Sequence, residues 1–306
     1  MRNNTKGQKM HIETIAPGLE RLIESNPPFD RVVHGIQFGE GPVWDRRAGQ
    51  LYFVDILGNT IWKWTPGVGR EAVLHPSGYA DGMTLDRQGR LVVAGWSLRT
   101  VWRFEKDGSL KTLVSHYQGK KINTPNDIVV RSDGSIYWTD SRGGLIIPGM
   151  VPVDCQPYLD YQGVFRLSAD GTQVSLLIDD CESPNGLAFS PDESVLYVND
   201  TRRAHIRAFD VRADGSLGTG RLFHRLTGKE EGVADGMKVD TEGNVYCTGP
   251  GGIHVTDPDG NLLGRLKIAE HCTNFAWGDE DWRSMYITTH ESVYRTRVKI
   301  PGVATW

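Results

Sequence analysis

Six polar residues stand at equivalent places in six related stretches of this chain: Glu40, Asp81, Asn126, Asn185, Asp235 and Asn274. Each comes just before or at the start of a short apolar run. Three are carboxylates and three are carboxamides, so every one offers an oxygen to a hard cation or to a water. Three like charges brought within a few ångströms destabilise one another unless some are protonated or a cation lies among them. Oxygen donors suit calcium, magnesium or manganese, whereas zinc prefers nitrogen and sulfur. The expectation is one divalent cation, calcium first, with magnesium, manganese or zinc as alternatives. Taken singly, each Asn or Asp also suits a turn or a strand entry. The chemistry therefore rests on the six as a set.

Other chemistries find less support. No Ser-His-Asp order or GxSxG elbow is present, which argues against a serine hydrolase. The nine histidines show no metal-ligand spacing. His254 and His290 read as packing residues on or beside strands. Cys155, Cys181, Cys247 and Cys272 form no CxxC motif and read as thiols of a reduced, cytoplasmic protein. The net charge of −4 comes from interspersed charges with no basic stripe, so nucleic acid is not an expected partner. The first nine residues read as a disordered polar tail without the apolar core of a signal peptide. No run approaches the length of a membrane span, so no membrane partner is expected.

The elements that must position the six residues are strands. Each residue opens a unit of apolar strand, polar turn and apolar strand, as in PNDIVVRSDGSIYWTD and ADGMKVDTEGNVYCTG. A third strand follows in every unit, such as TIWKWTP or GVFRLSA, and a fourth in five of them. The sixth unit runs out at Trp306, but DRVVHGIQF (30–38) supplies a spare strand at the other end. Four strands per unit and a period of about 39–59 residues specify an all-β, six-bladed β-propeller, four antiparallel strands per blade. The N-terminal strand closes its last blade and removes an open sheet edge. A β-sandwich needs no such internal repeat, and a β-helix needs shorter coils. The 36 glycines, about 12 % against a usual 7 %, fit many tight turns. Residues 1–28 are expected to be a tail with a short helix at PGLERLIE (17–24), and residues 29–306 a single propeller domain.

At these residues the chain resembles the regucalcin / gluconolactonase / luciferin-regenerating enzyme family, bacterial gluconolactonases above all. The carrying motifs are GEGPVW around Glu40, PND around Asn126, SPNGLAFSPD around Asn185 and ADGMKVDTEGNVY around Asp235. The resemblance runs from about Phe29 to Val303. It implies metal ligation by Glu40, Asn185 and Asp235, with Asn126 beside the metal touching substrate or water. It also implies hydrolysis of a sugar lactone. Asp235, able to touch both metal and water, is the candidate general base, with a role as ligand alone as the alternative, and Asn126 is the second candidate catalytic residue. Thr124, Asp81, Trp96 and Asn274 join Asn126 as expected substrate-binding residues. The departures fall around the substrate. TDSRGGLIIPGM replaces a DPPYG-like segment, Asp81-Gly82 replaces Asn-Gly, Ala94-Gly95-Trp96 replaces Cys-Glu-His, and Thr124 stands where regucalcins carry Arg.

The third unit carries a long insertion, Ser141–Gln162, between its second and third strands. Loops of this length are often lids, and the run LIIPGMVPV within it could cover a substrate. Its alternative role is packing between blades or subunits, in a monomer or a homo-oligomer. Arg99, Arg142 and Tyr158 could also reach the pocket. Two further readings compete with a metal-dependent lactonase. One is a related hydrolase of another ester or a phosphorus ester. The other is a non-catalytic ligand-binding propeller with a structural ion. The fold alone does not choose among them.

Overall fold

The computed structural model describes residues 10–147 and 154–305. Its innermost strands are Gly39–Asp45, Met83–Leu85, Thr124–Val130, Pro184–Phe189, Met237–Val239 and Cys272–Gly278. Each touches the next around a ring, and the sixth returns to the first. Each begins a sheet of four antiparallel strands, giving the six-bladed propeller that the repeat specified. The last blade closes as expected. Phe29–His34 pairs with Ser292–Arg297, Phe29 opposite Thr296 and His34 opposite Ser292. The remainder of the run 30–38 leads into the first blade.

The N-terminal segment does more than the sequence suggested. The short helix forms over Leu19–Leu22. Upstream of it, His11–Thr14 adds a fifth strand to the outside of the fifth blade, pairing with Gly264–Lys267. Leu19 and Leu22 are buried in the same cluster as Leu263 and Leu266, so apolar burial holds this segment to the ring. The first nine residues, read as a polar tail, lie outside the described residues.

Local chemistry explains the hairpins. In the first-to-second turn of the second blade, Asp86 Oδ1 accepts the backbone N–H groups of Gln88 and Arg90, and Gly89 takes φ 73°. A positive φ suits glycine, which has no Cβ to clash. Blades pack through apolar and aromatic side chains, as where Trp44 stacks on Tyr286 with centroids 5.2 Å apart. The far end of the channel widens into a cavity of about 350 Å³ walled by Trp44, Trp277 and Trp282.

The long insertion opens with a helical turn, Gly143–Ile146. Residues 148–153, most of the apolar run proposed as a cover, lie outside the described residues. The described limbs of the loop are strapped down. Arg142 donates its N–H to Gln162 Oε1 at 2.6 Å and its guanidinium to the Leu159 carbonyl. Arg99 is fully buried and donates to the carbonyls of Ile122, Asn123, Asp154 and Gln156 at 2.7–3.1 Å. Tyr158 lies over that guanidinium. Arg99, Arg142 and Tyr158 thus build the loop.

Candidate metal-centred site at the channel mouth

Bulges at the start of four innermost strands aim the site residues. The pairing register slips between Glu40 and Val43, Pro125 and Ile128, Pro184 and Leu187, and Cys272 and Asn274. A bulge turns a side chain out of the pleat. Asp81 and Asp235 instead lie two residues ahead of their strands, at Met83 and Met237. The glycines that follow the site residues have a steric cause. A Cβ on Gly186 would lie 2.2 Å from the Asp235 carbonyl, and one on Gly82 would lie 2.5 Å from the Asn126 carbonyl. Gly82 also donates its N–H to that carbonyl at 2.7 Å. Adjacent strands can therefore approach closely only where the side chain is missing.

The structure brings all six ring residues into direct contact or charge coupling. Asn126 Nδ2 donates to Asp81 Oδ2 at 2.7 Å. Asn274 Nδ2 donates to Glu40 Oε2 at 2.9 Å, and Gly41 N–H donates to the same oxygen at 2.8 Å. Glu40 Oε1 is buried with no hydrogen-bond partner among the described residues. Burial raises the Glu40 carboxyl to about 7, against the bonds from Gly41 and Asn274. Asp81 is raised well above its ordinary range by burial, then by the charges of Glu40 and Asp235. Asp235 is raised likewise by burial and by Glu40, with the Asn185 amide opposing. Asn185, the sixth, faces Asp235 and donates to Thr201 Oγ1 at 3.2 Å. Asn126, Asn185 and Asp235 keep partial contact with solvent, whereas Glu40, Asp81 and Asn274 are buried.

Three of the expected substrate contacts are placed otherwise. Asn274 has both ends of its amide occupied, since its Oδ1 accepts from Phe275 N–H at 2.9 Å and Lys238 Nζ at 3.2 Å. It orients Glu40. Thr124 is fully buried, donates to the Ser141 carbonyl at 2.7 Å and accepts from Gly144 N–H at 3.2 Å. Trp96 is buried against Gly144, where a Cβ would fall 2.4 Å from its Nε1. Thr124 and Trp96 prop up the helical turn of the long loop. His290 stacks on His271 and meets Phe38 at a tilt.

Two residues of the site escaped the sequence reading. Asp127 is buried, and its Oδ2 lies 3.6 Å from Lys238 Nζ. Both had a visible signal. Asp127 occupies the place that glycine takes after Glu40, Asp81, Asn185 and Asp235, and Lys238 interrupts an otherwise apolar strand.

Among the described residues no three His, Cys, Asp or Glu side chains stand close enough to hold a metal by themselves. The set implied by the resemblance is different: two carboxylates and one carboxamide. It fits this well, because Glu40 presents an unpartnered buried oxygen and Asn185 spends its Nδ2 on Thr201, leaving its carbonyl oxygen. These are oxygen donors for a hard cation.

Relatives agree with this architecture. A family model described as SMP-30/Gluconolactonase/LRE-like region matches residues 38–291. The gluconolactonase of Zymomonas mobilis is 32% identical, over 98% of this chain and 90% of its own. Regucalcin of Oryctolagus cuniculus is 28% identical over 82% of each chain. A solved gluconolactonase structure from Xanthomonas campestris superposes with a TM-score of 0.87 at 31% identity, covering 94% of this chain and 95% of that one. With propeller, motif order and matched span in accord, the chain belongs to the SMP-30/gluconolactonase/LRE-like family.

Proposed function

We propose that this protein hydrolyses a small lactone, a sugar lactone first, using one divalent cation held by Glu40, Asn185 and Asp235. The observation that carries the proposal is the buried well of raised carboxylates with an unpartnered Glu40 oxygen. The relatives named gluconolactonase support the substrate class. Calcium is the first candidate for the ion, and regucalcin relatives fit that choice. When bound, such an ion polarises the ester carbonyl and offsets charge growing on its oxygen.

The protein's own groups do the rest. Asn126 is fixed by its bond to Asp81, which leaves its Oδ1 to hold a water or a substrate hydroxyl. Asp235 takes a proton as that water attacks the carbonyl carbon. The ring C–O bond then breaks, and the alkoxide leaving group is protonated to give the open-chain acid. Without an ion, burial and the Glu40 charge press Asp235 toward the protonated form; a bound cation would favour its carboxylate, the form that can take the proton.

The test is hydrolysis of gluconolactone and a panel of aldonolactones, with and without a chelator, by the wild type and by Asp235→Asn. The expected result is turnover that stops on chelation, returns with calcium, and falls at least about a hundredfold in the variant. Undiminished turnover in chelator or in Asp235→Asn overturns the mechanism. Cleavage of aryl or phosphorus esters with every lactone untouched replaces the substrate class.

A further inference from the structure

Four carboxylates crowd the channel mouth, and one ammonium stands among them. Glu40, Asp81 and Asp235 each feel the charge of Asp127, which favours their protonated forms. Lys238 acts oppositely and favours the ionised forms of Glu40 and Asp235. Its Nζ lies 3.6 Å from Asp127 Oδ2, and it donates to Asn274 Oδ1 at 3.2 Å and to the Met237 carbonyl at 3.1 Å. Asn274 passes the contact on through its Nδ2, 2.9 Å from Glu40 Oε2. A continuous chain of polar contacts thus runs from Asp127 through Lys238 and Asn274 to Glu40. Asp127 Oδ2 has no hydrogen-bond partner among the described residues, so its ion pair with Lys238 is what balances it.

Lys238 is no ordinary member of its strand. The equivalent strands read MTL, IVV, LAF and FAW around this place, and the lysine sits in MKV. Its side chain is only 24% exposed. Burying an ammonium is costly unless anions repay the lost hydration. The anions here are those of the cation well.

We propose that Lys238 is a built-in counter-cation of the channel, holding the carboxylate well together when the divalent ion is absent and thereby limiting how tightly that ion binds. The proposal rests on the reading of a divalent ion at this mouth. A fixed positive charge near the well repels an incoming dication, while it stabilises the empty well against its own charge. Asn274 keeps its orientation without the lysine, because Phe275 N–H still donates to its Oδ1. Lys238 therefore acts on the site mainly through charge. Asp127 acts with the opposite sign from the same place.

The two residues predict mirror-image effects. Calcium affinity is measured by titration calorimetry at pH 7.5, and thermal unfolding is followed on the same full-length proteins in chelator. Lys238→Met is expected to bind calcium at least about tenfold more tightly while its chelated form melts several degrees lower. Lys238→Arg keeps the charge and is expected to stay within about threefold of the wild type. Asp127→Asn is expected to bind calcium about tenfold more weakly while its chelated form melts higher. Weaker or unchanged calcium binding in Lys238→Met overturns the proposal, since a merely structural lysine would lose affinity and stability together. If Lys238→Met does not fold, Asp127→Asn decides, and unchanged affinity with an unchanged or lower melting point overturns it. If the wild type binds no divalent ion at all, the functional reading fails separately, and the chelated melting points alone judge Lys238.

Discussion

Replacing Glu40 by glutamine tests the electrostatics of the well without changing its shape. The amide oxygen of the Glu40→Gln side chain can still accept from Gly41 N–H and Asn274 Nδ2, since it takes the place of Oε2. The ionisable character is lost, and an amide Nε2 takes the place of the buried, unpartnered Oε1. In the cation-free protein the Glu40 carboxyl is raised by burial to about 7. A carboxyl raised on folding adds stability below its ordinary value near 4.5 and loses it as pH climbs through about 7. Relative to a neutral isostere the ionised group then costs the folded state roughly 3 kcal/mol at pH 8. For a chain of this size that is about 3–6 °C in melting temperature. Thermal unfolding in chelator should therefore show the variant matching the wild type near pH 5 and melting higher at pH 8. Calcium at a thousandfold excess over Kd should reverse the order, because only the wild type gains from ligand binding, by about 4.1 kcal/mol. A chelated variant that melts no higher than the wild type at pH 8 would refute the reasoning.

Gly186→Ala should lower stability by about 2–4 kcal/mol, because its new Cβ meets the Asp235 carbonyl at 2.2 Å and must push two blades apart. Denaturant unfolding measures this, and a loss under about 1 kcal/mol would mean the strands have room to spare. Arg99→Met should release the returning limb of the long loop, since the carbonyls of Asp154 and Gln156 each lose a donor at 2.9 Å. The cost is about 3 kcal/mol, and limited proteolysis should cut within residues 142–161 while the blades stay intact. Unchanged protection of that segment would show that Arg99 does not hold it.

Much of this protein was legible from its sequence because the determining signals are local and repeated. Alternating apolar residues and turn dipeptides recur in phase, so PNDIVVRSDG and ADGMKVDTEG each announce the same hairpin. The spare strand at Phe29–His34 followed from counting strands in a ring that must close. Six polar residues at one phase of the repeat had to face one axis, and the structure places them around the channel mouth.

Only the tertiary structure decided how those side chains divide their work. Asn274 and Asn126 look alike in sequence. Asn274, however, meets Glu40 on one side and Lys238 with Phe275 on the other, while Asn126 keeps an acceptor free beside Asp81. Thr124 and Trp96 face inward beneath the insertion because Gly144 packs on them. The strand His11–Thr14 finds its partner more than two hundred residues away. Periodicity fixes which face of a strand a residue occupies. Which donor or charge awaits it there depends on the neighbouring blade, and residues far apart in the chain supply that neighbour.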